Sequence, residues 1–121
     1  MTRPAILVAR PIFPEVLALL REHFEVDHHD GENALPPAEL VARLQGKVGA
    51  LTTGSERIDA ALLAACPDLK IVANMAVGYN NFDVPAMSAR KVLATNTPDV
   101  LTDTTADFGF ALLMATARRV T

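Results

Sequence analysis

The sequence holds one cysteine, Cys66, among 121 residues, so no disulfide can form within the chain. A chain without internal disulfides suits a reducing compartment, and a cytoplasmic location is expected. Cys66 stands directly before Pro67 at the expected end of a short helix, where a packed, inert thiol is expected rather than a nucleophile. There is no excess of basic charge: 11 Lys and Arg against 14 Asp and Glu leave a formal net charge of -3. That balance lacks the footprint of a nucleic-acid binder. No apolar run is long enough to span a bilayer, and the run at residues 5–9 is too short for the core of a signal peptide. Neither nucleic acid nor a membrane is an expected partner.

Phosphate-binding signatures are missing as well. None of the 6 glycines pairs with another as G-x-G-x-x-G after a strand, and there is no P-loop. The histidines show no zinc spacing: His28 and His29 are adjacent, so in a strand their rings face opposite sides, and His23 falls near a helix end at the surface. No metal site is expected. Repeats and low-complexity tracts are also lacking.

What remains is an ordinary globular composition, 50% hydrophobic and 21% charged, with length for one core. Short strand-like runs recur at 5–9, 24–28, 48–52, 69–73 and 92–95, the second polar on one side. Helical patterns fill the gaps. Pro14 opens the first, with Val16, Leu17, Leu20 and Phe24 on one face; Pro36 and Pro37 open the second, with Leu40, Val41 and Leu44 inward and Gly46 as its stop. Asp59 caps the third over 60–65, Asp83 caps the fourth over 84–90, and a long fifth runs from about 100 to 119. Five alternations with short loops predict an α/β fold: a flavodoxin-like three-layer sandwich around a five-stranded parallel sheet. Right-handed crossovers and one reversal give the strand order 2-1-3-4-5, with a long C-terminal helix beyond it.

In such a sheet, ligands bind beyond the carboxyl ends of the strands. The loop after the fourth strand, residues 74–83, is the most promising. Gly78 lets the backbone approach a ligand closely, and the amides of Val77 and Gly78 can point at an anion. The start of the next helix would add a partial positive charge. The alternative is an ordinary strand-to-helix turn. The loop after the third strand offers Gly54 and Ser55, a small backbone wall and a hydroxyl, or else only a change of chain direction. Two other users of this topology are excluded. A receiver domain needs acidic residues where Ala9-Arg10 and Leu51-Thr52-Thr53 stand, and a flavin-binding flavodoxin needs a hydroxyl-rich loop where Arg10-Pro11-Ile12-Phe13 stands.

The run Ala76-Val77-Gly78-Tyr79-Asn80-Asn81-Phe82-Asp83 resembles the A-V-G-Y-D-N-I-D motif of the D-isomer-specific 2-hydroxyacid dehydrogenases. Ser55-Glu56-Arg57-Ile58-Asp59 resembles the same family. So does Thr95-Asn96-Thr97-Pro98-Asp99-Val100-Leu101-Thr102-Asp103, with Thr105-Ala106-Asp107 leading into Ala115-Thr116-Ala117-Arg118-Arg119. The nearest branch is the glyoxylate and hydroxypyruvate reductases. The resemblance covers essentially the whole chain, and the three motifs together are specific.

It implies a two-domain enzyme that reduces a small 2-oxo acid to the 2-hydroxy acid with NADH or NADPH. Residues 1–98 would be its substrate-binding domain and 99–121 a connecting helix. Val77 and Gly78 would hold the substrate carboxylate by their amides, the Gly54–Ser55 loop would close over it, and Thr105 would touch the nicotinamide end of the cofactor. Asn80 replaces the usual acid of the motif. Gly109 lies inside the last helix at a cost of about 1 kcal/mol relative to alanine, for which close helix packing is the expected reason. The family's nucleotide-binding half, with its glycine-rich loop and catalytic Arg, Glu and His, has no counterpart here. No catalytic residue is therefore expected in the chain, which should fold, bind no cofactor tightly and not catalyse alone. Self-association through the apolar helix at 100–119 is expected. Two other readings stay open: a standalone flavodoxin-like binding or assembly module that oligomerises through that helix, and a subunit whose nucleotide-binding domain is a separate chain.

Overall fold

The computed structural model describes residues 2–120. Strand β1 (Ala5–Val8) leads through α1 (Pro14–His23) to β2 (Glu25–His28), and α2 (Pro37–Leu44) leads on to β3 (Gly49–Thr52). Then come α3 (Ala60–Ala65), β4 (Ile71–Asn74), α4 (Val84–Ala89), β5 (Leu93–Thr95) and α5 (Thr102–Arg118). All strand pairs are parallel and the order is β2-β1-β3-β4-β5, as the alternation predicts. The local signals work as expected. The Asp59 carboxylate accepts from Leu62 N–H at 3.0 Å and that of Asp83 from Ala86 N–H at 3.0 Å, capping α3 and α4.

The chain moves one way from β1 to β2 and the other way thereafter. Right-handed crossovers therefore put α1 on one face of the sheet and α2, α3 and α4 on the other. The second face carries the main core: Leu40 and Leu44, Leu62 and Leu63, and Met87 join Leu7, Ala50 and Val72 in one buried cluster. Cys66 belongs to this cluster, and burial pushes its thiol pKa up, as befits an inert packing group. At the rim, Arg43 of α2 forms a two-pronged ion pair with Asp27 of β2.

The α1 face differs from expectation. No residue of α1 is buried, and Val16 is exposed although its spacing predicted an inward position. One helix cannot cover five strands. Along the register row Ile6, Gly49, Ile71, Leu93, the flanking and outer side chains show the cover running out: Ile6 is 8% exposed, Ile71 38% and Leu93 66%. Helix α5 does not supply the cover, since none of its residues is buried. A methyl added at Gly109 would meet nothing within 4 Å, so close packing inside this chain is not the reason for that glycine.

Candidate functional site

The site grows from two buried polar residues at the ends of the central strands. Thr52 and Asn74 are register partners on β3 and β4, and the Thr52 hydroxyl donates to Asn74 Oδ1 at 2.9 Å. Polar groups this deep need partners, and the partners here are loop atoms. Asn74 Nδ2 donates to the Gly78 carbonyl at 3.0 Å and to Asn81 Oδ1 at 3.1 Å. Asn81 Nδ2 donates in turn to the carbonyls of Thr53 at 3.0 Å and Glu56 at 2.8 Å. A short parallel bridge adds Ile58 N–H to Asn81 O at 2.8 Å and Asp83 N–H to Ile58 O at 2.9 Å. The loops after β3 and β4 are thus clamped into one unit.

Glu56 braces the first of these loops from inside. Its Oε2 accepts from Thr53 N–H at 2.7 Å and from the Thr53 hydroxyl at 3.0 Å, while its buried Oε1 has no partner among the described residues. Held in this way, the two loops border a cavity of about 730 Å³. Gly54, Ser55 and Arg57 line one side, and Ala76, Gly78 and Asn80 the other. The N–H groups of Val77 and Gly78 donate to no group among the described residues. A free amide beside a polar cavity is a donor waiting for an acceptor.

Of the residues expected to share a site, Gly54, Ser55 and Gly78 meet at this cavity. Val77 belongs to the same corner through its backbone, with its side chain exposed outside the cavity lining. Thr105 stands apart in the first turn of α5, exposed, its N–H paired with Leu101 O at 2.9 Å. One expectation needs correction. Helix α4 has only six residues, and the Asp83 carboxylate already occupies its positive end, so its dipole adds little to the anion site. The carboxylates of Asp59 and Asp83 line the cavity as well, and so does Arg57, its exposed guanidinium 3.3 Å from Asp59. The place of Arg57 two residues after Ser55, on the same loop, was the available signal.

Two of the three histidines sit against backbone carbonyls, and His23 is exposed at the end of α1. His28 Nε2 lies 3.3 Å from Arg10 O and His29 Nε2 2.9 Å from Asn33 O. Among the described residues no group of three acidic, His or Cys side chains could hold a metal ion, and no helix is long and apolar enough to cross a membrane.

A doubly wound parallel sheet with its open amides beyond the carboxyl end of β4 defines a ligand-binding α/β domain. The family comparison is specific: residues 6–120 match the model for the D-isomer specific 2-hydroxyacid dehydrogenase catalytic domain, and the chain belongs to that family. It is 46% identical over 118 residues to a glyoxylate reductase from Thermococcus kodakarensis, covering 98% of this chain and 35% of the relative. The chain thus spans about a third of the length of the curated relatives it matches. Among solved structures, the TT0316 protein from Thermus thermophilus superposes with a TM-score of 0.88 at 43% identity, over 96% of this chain and 37% of that one. An NADPH-dependent glyoxylate/hydroxypyruvate reductase from Sinorhizobium meliloti, in complex with NADP and malonate, gives 0.72 at 38% identity, over 95% and 34% respectively.

Proposed function

We propose that this chain is the substrate-binding half of an NAD(P)-dependent 2-hydroxyacid dehydrogenase of the glyoxylate and hydroxypyruvate reductase type. It grips the carboxylate of a small 2-oxo or 2-hydroxy acid. One observation carries the reading: Val77 and Gly78 present amides without an acceptor among the described residues, beside a cavity walled opposite by Gly54 and Ser55. The family supplies the ligand class.

Reducing a 2-oxo acid takes hydride from NADH or NADPH, a cation that polarises the carbonyl and an acid that delivers the proton. The chain's own residues furnish one wall of such a site. They orient the acid by its carboxylate, and Thr105, exposed on α5, would touch the nicotinamide end of the cofactor. No glycine-rich dinucleotide cradle is formed by these residues. The chain therefore works with a nucleotide-binding half and is inactive without it. The test mixes the purified chain with glyoxylate and NADPH. No turnover is expected, while glyoxylate shifts the Val77 and Gly78 amide resonances; turnover by the chain alone overturns the reading.

The surface of α5 favours a second property, self-association. Phe108, Phe110, Leu112, Leu113 and Met114 are all exposed on it, more apolar surface than a lone solvent-facing helix carries. A standalone module that assembles through this helix would show the same association without binding glyoxylate. A monomer at high concentration in sedimentation equilibrium would remove the proposal.

A further inference from the structure

We propose that Asn96 is a positioning residue for this corner: its side-chain amide holds the 77–78 peptide so that Gly78 N–H faces the cavity. The inference rests on the carboxylate reading and deepens it, since it says what aims the donors.

A trans peptide carries its C=O and N–H on opposite sides, so whatever holds the carbonyl aims the amide. Three successive carbonyls are held here. Ala76 O accepts from Thr97 N–H at 3.0 Å, Val77 O from Asn96 Nδ2 at 2.8 Å, and Gly78 O from Asn74 Nδ2 at 3.0 Å. Asn96 and Thr97 follow β5, which flanks β4 on the side opposite β3. The N–H groups of Val77 and Gly78 consequently point away from β5, toward the side where Gly54 and Ser55 line the cavity. The N–H of Tyr79 points away from the buried Asn74. None of the three donates to a group among the described residues.

The three anchors are not equivalent. Thr97 uses its backbone, which nearly any residue could supply. Asn74 is buried in the clamp between the loops, and its loss would disturb the fold. Asn96 is half-exposed just after β5, and among the described residues its side chain makes this one hydrogen bond. Glycine at 78 makes an anchor necessary, because without a Cβ the peptide before it rotates with little steric restraint.

The test titrates the chain with sodium glyoxylate and follows the amide resonances of Val77 and Gly78, beside Asn96→Ala and Asn96→Asp. Both variants are expected to melt with the wild type and to bind about tenfold more weakly, the worth of roughly one hydrogen bond. Unchanged affinity in both overturns the proposal. So does a loss confined to Asn96→Asp, which would mark simple charge repulsion. Should glyoxylate leave both amides unshifted in the wild type, the carboxylate reading falls, and a crystal structure of Asn96→Ala still decides the present point. A turned 77–78 peptide in it supports the role of Asn96, and an unmoved one overturns it.

Discussion

At the scale of single residues, the molecule separates groups that hold the fold from groups that line the candidate cavity. Asp27 is of the first kind. The hydrogen bonds from Arg43 hold its carboxyl below the usual carboxylate range, outweighing partial burial, which acts the other way. A carboxyl whose folded value is depressed stabilises the fold above its unfolded value, near 4, and loses that contribution as the pH falls through the folded one. Asp27→Asn is therefore expected to cost about 1 kcal/mol at neutral pH, modest because the pair is partly exposed. The gap between variant and wild type should close in acid, as read by urea denaturation at several pH values.

Gly78 and Gly54 are of the second kind. A methyl at Gly54 would meet nothing within 4 Å, and one at Gly78 would come 3.2 Å from Asn80 Oδ1, the tip of an exposed side chain that can move. Both alanine variants should melt within a degree or two of wild type. Gly78→Ala alone should weaken glyoxylate binding, because its methyl stands beside the donor amide. Equal binding in a titration of both variants would put the anion elsewhere.

At the scale of elements, every strand and helix was legible, because each carried a local cause: β-branched apolar runs for β1 and β4, Asp59 and Asp83 as caps, Pro14 and Pro37 as openers. The burial of α1 was not legible. Helical spacing tells which residues share a face but not how closely the sheet approaches it, and Val16 stays exposed. The corner itself could be placed by Gly78 and strand order. Its aim could not, since the bond from Asn96 to Val77 O joins residues 19 apart. A side-chain amide reaching across two strand ends leaves no periodic trace. Helix α5 offers a separate test. Among the described residues a methyl at Gly109 would meet nothing within 4 Å, so Gly109→Ala should stabilise the helix by about 1 kcal/mol, seen as a higher melting temperature. If self-association uses that face, the same variant dissociates more readily in sedimentation.

At the scale of the whole molecule, the two sides of the sheet are unequally insulated. Solvent reaches the outer rows on the α1 side first, and β5 has a single neighbour to pair with. Opening should then proceed from one margin inward, because regions with little apolar cover open at the smallest free energy. In deuterium-uptake measurements the amides of Leu93–Thr95 are expected to exchange well before those of Ala5–Val8. The loop carrying Asn96 hangs from that loosening margin, so the proposed aim of the Val77 and Gly78 amides is tied to the least protected strand. Any body that settles over Ile71 and Leu93 would slow that exchange and, from a distance, steady the proposed grip on an acid.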